Sequence, residues 1–286
     1  MVSLPVIQAC IADAERRQEE IWLIARSSGQ AALAERIEGL AGSVSEDAFD
    51  PTQADGLVVD LRDHRLQRDH WWGSPEFDRT VGPLSINEIL DRIGTDFGID
   101  ADFARPVPLL ARPRPEVSDV VVLVTETDGP SKRWPAERWT SLAAQIHHAG
   151  GDARMVTRYG ATPDLRDTGI REIHAPSPGD AVDLLTSCRA VVGVDTGLTH
   201  IAAQQVTPTV TITRDRPVFY RPWPHCRAVI GNRCDDDCVS IERERAYNRS
   251  GSLRGLEWKP QACPVAGRCL DPVSPDRVMR ALEGLL

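Results

Sequence analysis

Parallel α/β sheets are what this sequence predicts, on three observations. Apolar strands alternate with segments of helix length, the strands of the second half are apolar on both faces, and 41% hydrophobic with 26% charged residues supplies a sizeable core. From Leu4 to Arg17 the positions Val6, Ile7, Cys10, Ile11 and Ala14 recur at helical spacing, and Glu20 to Arg26 reads as a buried strand around Ile21, Leu23 and Ile24. A helix over Gln30 to Leu40 precedes Gly56 to Leu61, whose β-branched run predicts a strand, and another helix is expected over Ser85 to Ile93. Pro106, Pro108, Pro113 and Pro115 then mark a connection, which sets the domain boundary near 105 to 117.

Beyond that boundary the pattern is regular. Val120 to Thr125, Ala153 to Arg158, Ala190 to Asp195 and Pro208 to Thr213 read as strands. Pro135 to His148, Gly179 to Ser187 and Leu198 to Gln205 read as helices between them, and Ser274-Pro275 opens a last helix with Val278, Leu282 and Leu285 on one face. The 286 residues thus divide into an N-terminal unit, 1–110, and a C-terminal unit, 117–286.

Composition excludes several classes of function. Thirty-three basic against 42 acidic residues give a net charge of −9, unfavourable for holding nucleic acid through phosphate contacts. No apolar run approaches the ~20 residues of a membrane span, and the first residues lack the basic start of a signal peptide, so a cytoplasmic location is expected, with peripheral membrane association left open. Seven cysteines in a chain of this length are no disulfide framework.

Two strand-to-helix turns carry the chemistry. In Val194-Asp195-Thr196-Gly197-Leu198-Thr199-His200 a buried strand enters a helix through a polar turn, where free N–H groups and the helix dipole suit an anion. Thr196 adds a hydroxyl, Gly197 permits close backbone approach, and His200 lies one turn along, while Asp195 suits hydroxyl groups beside a phosphate. The plainer alternative is a tight turn in which Asp195 caps the helix and His200 is packed. In Thr125-Glu126-Thr127-Asp128-Gly129-Pro130-Ser131-Lys132-Arg133-Trp134-Pro135 another strand leads into a helix, and Lys132 is one of only two lysines. Its compact charge suits a phosphate oxygen with Thr127 beside it; the alternative is a solvated lysine ahead of packed Trp134 and Trp139. Both loops should lie on the carboxyl edge of one sheet and could grip a diphosphate from two sides.

Lys132-Arg133-Trp134-Pro135-Ala136-Glu137-Arg138-Trp139, Val192 to Ala203 with Pro208-Thr209-Val210, and Val273 to Val278 together resemble the ADP-heptose:lipopolysaccharide heptosyltransferase family, glycosyltransferase family 9, specifically over 118–286. The resemblance implies a GT-B fold, two Rossmann-like domains with parallel sheets facing across a cleft, and transfer of a heptose-like sugar from a nucleotide donor to a glycan or small-molecule acceptor, with inversion and no catalytic metal. It implies that Thr127, Lys132 and the amides of Thr196, Gly197 and Leu198 bind the donor diphosphate, that Asp195 holds sugar hydroxyls, and that His200 lies beside the phosphates. The family opens with a strand and a Gly-Asp turn, whose aspartate is taken as the base, before a helix with a Leu-Pro pair. Leu4-Pro5 matches that helix, so the turn would lie before Met1, and the catalytic residue is unknown. Asp60 and Asp63, at a strand end, are stand-ins, or ordinary strand-end acids.

In the acceptor-side half, Arg65, Gln67, Arg68, Trp71 and Trp72 suit a sugar face with anionic groups nearby, or form a surface loop pinned by its aromatic pair. Cys234, Cys238, Cys263 and Cys269 are spaced C-x3-C, x24, C-x5-C, which allows a structural zinc or iron site, packed reduced thiols or disulfides. Similar cysteines in a related branch that modifies autotransporters bind iron. Three functions follow as candidates: a heptosyltransferase-type enzyme, a noncatalytic nucleotide-sugar-binding relative, and another GT-B enzyme such as an epimerase.

Overall fold

The computed structural model describes residues 4–54, 56, 58–59, 64, 86–127, 132–213, 223–231 and 268–286. The first helix, α1 (Leu4–Arg17), buries Leu4, Val6, Ile11 and Ala14 and ends with Arg16 and Arg17 against its negative pole. Gln18 follows in the left-handed region, φ 60°, which stops it. Strand β1 (Trp22–Ala25) pairs in parallel with β2 (Gly42–Ser45), register Trp22 to Gly42. The expected buried strand is therefore corrected: Trp22 is 55% exposed and only Ala25 is buried, because among the described residues β1 has a single neighbouring strand.

Helix α2 (Ser28–Ala34) starts at an N-cap, Ser27, whose side chain accepts from the Gln30 amide, and it is shorter than the sequence suggests. Past Ala34 the Arg36 and Ile37 amides bond Leu33 O and Ala34 O, three residues back, and Gly39 then turns the chain. Its φ is +88°, and a Cβ there would come within 2.4 Å of Ile11 Cγ2, so the chain turns where helix was expected. Helix α3 (Ile86–Asp96) buries Leu90 and Ile93 against Val6 and Ala101. The strand expected over Gly56 to Leu61 falls largely outside the described residues, as do Asp60 and Asp63.

The second half forms one six-stranded parallel sheet. Its strands are β3 (Val120–Val124), β4 (Asp152–Thr157), β5 (Arg171–His174), β6 (Ala190–Val194), β7 (Thr209–Thr213) and β8 (Cys226–Ile230), in the order β5-β4-β3-β6-β7-β8. Successive residues of each strand face opposite layers. Val121, Leu123, Ala153, Met155, Val192 and Val194 meet α4 (Ala136–His148) on one side, with Val278 and Leu282 of the last helix. Val120, Val122, Val124, Val156 and Val191 meet Val182, Leu184 and Leu185 of a helix on the other. That helix is α6 (Pro178–Ser187), which begins in a complete capping box between Ser177 and Asp180; a one-turn helix, α5 (Pro163–Arg166), precedes β5. Helix α7 (Gly197–Gln204) follows β6, and the last helix is α8 (Pro275–Glu283).

Strands β5 and β8 lie outside the pattern the sequence predicts. Both are sheet edges among the described residues, and Arg171-Glu172-Ile173-His174 carries one apolar side chain, too little pattern to read. Residues from the first 40 share a core with the sheet: Leu4, Ile11 and Ile37 lie in one apolar cluster with Val120, Val122 and Leu184. No described helix is long and apolar enough to cross a membrane. Cys188 and Cys226 are buried, as expected of packed small hydrophobes, and burial pushes both thiols up to about 12. Cys10 lies half-buried beside Val6, Leu90 and Ile93.

Candidate active site

The strand order reverses between β3 and β6. To one side of that pair the chain runs outward through β4 and β5, to the other through β7 and β8. Loops leaving adjacent strands at such a point diverge and open a crevice at the carboxyl edge, where open α/β sheets take their ligands. Thr127 lies just past β3, and Asp195 just past β6, so tertiary structure brings both sequence-predicted turns to this crevice.

Here the two turns join. Lys132 Nζ donates to Asp195 Oδ2 at 2.6 Å and reaches the Asp195 carbonyl at 3.3 Å. His200 Nε2 lies 3.3 Å from the other carboxylate oxygen. Burial pushes the Asp195 carboxyl upward, but the hydrogen bond from His200 and the charge of Lys132 outweigh it and hold the group well below the usual carboxylate range. The Asp195 side chain is 13% exposed and that of His200 15%. Parts of both plainer alternatives are met, since His200 is largely enclosed and Trp134 and Trp139 are packed, while the roles of Lys132 and Asp195 within them differ. Lys132 is ion-paired with Asp195, and Thr196 rather than Asp195 stands at the N-cap of α7, with the Asp195 carboxylate turned toward the Lys132 ammonium and the His200 ring.

The turn leaves first-turn amides of a helix without a side-chain cap. Thr196 is extended, φ −141° and ψ 170°, and its side chain makes no capping bond, so the first-turn amides of Gly197 and Leu198 face outward from the N-terminus of α7. Gly197 is exposed and an added Cβ there would meet nothing within 4 Å. Beneath it, Thr199 Oγ1 donates to Val194 O at 2.7 Å and seats the helix on the strand end. Gly193 makes that seat, since a Cβ on it would lie 2.4 Å from Thr199 Oγ1 and 2.8 Å from Val124 Cβ. Gly193→Ala is expected to destabilise the protein by about 1–3 kcal/mol through overpacking, read as a lower urea midpoint with an unchanged slope.

Sequence reasoning assigns no role to Glu126. It stands beside Thr127, and burial, with Glu172 and Asp164 nearby, raises its carboxyl. Glu172 Oε2 accepts from Thr157 Oγ1 at 3.1 Å and from the Ala161 amide at 3.2 Å. Glu126 thus stands near other carboxylates at an edge that also carries Arg158 and His174, and it suits hydroxyl or amino groups, whereas Lys132 and α7 suit phosphate; only the strand order brings these residues together. Arg65, Gln67, Arg68, Trp71 and Trp72 lie outside the described residues, as do Cys234, Cys238 and Cys263. Cys269 is described and is 5% exposed.

Residues 95–247, more than half of the chain and including both turns, match the family profile of glycosyltransferase family 9 (heptosyltransferase). The chain belongs to this family. Lipooligosaccharide heptosyltransferase 2 of Haemophilus influenzae is 27% identical over 136 residues, 43% of this chain and 39% of that protein. The chain thus matches about two fifths of that relative's length. Among solved structures, the iron-containing dodecameric glycosyltransferase TibC from enterotoxigenic E. coli superposes with a TM-score of 0.66 at 18% identity, over 99% of this chain and 72% of the other. E. coli ADP-heptose lps heptosyltransferase II gives 0.52 at 15% identity, over 100% and 94%. At these identities the likeness is one of fold: the α/β, GT-B type with parallel sheets that the family resemblance implied.

Proposed function

We propose that the chain binds an ADP-activated, heptose-like sugar in the crevice beyond β3 and β6 and transfers that sugar to a glycan or small-molecule acceptor. The observation that carries this reading is the convergence of Lys132, Asp195 and His200 at the N-terminus of a helix without a side-chain cap. A diphosphate would take Lys132, Thr127 and the amides of Thr196, Gly197 and Leu198, with His200 beside it, and Asp195 would then turn to the sugar hydroxyls. Donors fixed before the reaction stabilise the charge that develops on the leaving diphosphate, which is the work required for inverting transfer without a metal. The division into an acceptor side, 1–110, with Arg65, Gln67, Arg68, Trp71 and Trp72, and a donor side, 117–286, belongs to the same reading, as does a cytoplasmic location. Support for ADP-heptose comes from family membership and from the fold shared with E. coli ADP-heptose lps heptosyltransferase II, a protein named for that donor.

Calorimetric titration of the chain with ADP, UDP and GDP tests the donor half. Preferential binding of ADP is expected; equal or no binding by a folded chain would overturn it. Binding of the sugar nucleotide without transfer would favour a noncatalytic nucleotide-sugar-binding role, in keeping with the unassigned base.

Cys234, Cys238, Cys263 and Cys269 would supply four thiolates to a structural zinc or iron, and TibC, which is similar in fold, is an iron-containing glycosyltransferase. Such an ion would brace the chain between residues 234 and 269 without entering the transfer. Elemental analysis of the purified chain should give about one equivalent of metal, lost in Cys269→Ser together with thermal stability. Absence of metal from chain purified without chelator would leave these as packed thiols.

A further inference from the structure

The segment that follows Lys132 is fastened to residues remote from it in sequence. Two residues past it, Trp134 is 3% exposed, and its indole meets Trp139 edge to face with centroids 4.7 Å apart. Trp134 Nε1 donates to the carbonyl of Val273 at 2.9 Å. In the first turn of α4, Arg138 brings Nη1 to 2.9 Å from Leu270 O, 2.9 Å from Asp271 O and 2.8 Å from Val273 O. Arg277 Nη1 takes the remaining carbonyl of the turn, Pro272 O, at 2.7 Å. All four carbonyls from 270 to 273 therefore point at an indole or a guanidinium.

The turn itself is immobilised from below. Leu270 and Val273 are buried with Val278 and Leu282 in the core layer that α4 shares, and Gln145 Nε2 donates to Asp276 Oδ1 at 2.7 Å. Leu270 and Val273 are buried whereas Asp271 and Pro272 are exposed, and a buried carbonyl lacking a donor is costly, so it is chiefly through the Leu270 and Val273 carbonyls that the turn, Trp134 and Arg138 fix one another's positions. The Trp134 main chain is two residues from Lys132. A shift of ~1 Å there would carry the ammonium out of its hydrogen-bond geometry at the crevice.

We infer that Trp134 and Arg138 are positioning residues for Lys132, and that the C-terminal turn 270–273 is the fixed point against which they set it. The inference rests on the reading of Lys132 as a ligand of the donor diphosphate. It makes donor affinity depend on the end of the chain, more than 130 residues from the lysine.

The test is a set of double-mutant cycles on the full chain, with ADP affinity measured by calorimetry and urea midpoints measured alongside. Trp134→Phe keeps one aromatic ring and removes the N–H together with the second ring of the indole, a packing loss that the urea midpoint reads; Arg138→Met keeps length and removes the donors. Each is expected to weaken ADP binding about threefold to tenfold in the native background, the size of one or two lost hydrogen bonds. In a Lys132→Ala background both should change it less than about twofold, because the group they position is gone. Arg138→Lys, which keeps one donor, should recover part of the loss. Equal losses in both backgrounds would show a general structural effect and overturn the inference, as would unchanged affinity in the two variants while Lys132→Ala itself binds weakly. Unchanged affinity in Lys132→Ala would instead remove the donor-site reading and this inference with it. Should Arg138→Met fail to fold, the Trp134→Phe cycle decides alone.

Discussion

Lys132→Ala is expected to weaken ADP binding by about 1.5–3 kcal/mol, roughly tenfold to a hundredfold, the value of a charge-assisted hydrogen bond. The lysine side chain is 31% exposed and its ammonium lies 2.6 Å from a carboxylate whose side chain is 13% exposed. A phosphate arriving there exchanges one anionic partner for another, so the ammonium loses little additional solvation. Lys132→Arg should recover only part of the affinity, since a planar fork does not fit a position built for a point charge. Affinity within twofold of the native chain in both variants would place the diphosphate elsewhere.

The pair also sets a pH window. The Asp195 carboxyl is lowered in the folded chain, so its contribution to stability is complete above the ordinary carboxylate value of about 3.9 and is lost as pH falls through the folded value, lower still. Asp195→Asn should remove that contribution at neutral pH and flatten the acid limb of a stability profile. An unchanged acid limb would mean that the ion pair adds nothing to the fold.

Asp183→Ala should cost about 3–5 kcal/mol of stability, the penalty for stranding a buried partner. Asp183 accepts from Arg36 Nη1 at 2.9 Å and Nη2 at 3.1 Å, and from the Arg112 amide at 2.7 Å. Arg36 also donates to Leu110 O at 3.2 Å, so one guanidinium ties the first 40 residues, the proline-rich connection and α6 together. The side chains are 17% and 10% exposed, which removes most solvent screening. Asp183→Asn should lose less, because an amide still accepts from Arg112. Urea unfolding followed by far-UV circular dichroism and by tryptophan fluorescence separates the outcomes. A loss below about 1 kcal/mol would show that the first 40 residues are held through Leu4, Ile11 and Ile37 on the sheet alone.

Val120 to Val124 and Ala190 to Val194 are legible in the sequence because strands buried on both faces leave no position for a charged residue. The turn after each is legible for a related reason: Asp-Thr-Gly and a rare lysine are conspicuous against apolar runs. Strands β5 and β8 are not, since an edge tolerates Arg171, Glu172 and Arg227 as readily as apolar side chains. The short α2 escapes the pattern because nothing local says that the Arg36 and Ile37 amides bond three residues back before Gly39 passes close to Ile11.

By itself the sequence determined that the second half folds as alternating strands and helices, that two of its strand-to-helix turns suit phosphate, and that those turns resemble one family. Periodicity and turn chemistry are local, and local order is what a string of residues records. Only the tertiary structure decided that the two turns meet at the reversal of strand order, that Lys132 and Asp195 bind one another while Asp195 keeps its charge, and that a turn more than 130 residues away anchors the segment after the lysine. Those outcomes depend on which strands lie side by side and on which buried carbonyls find donors, and both are settled by packing between distant segments.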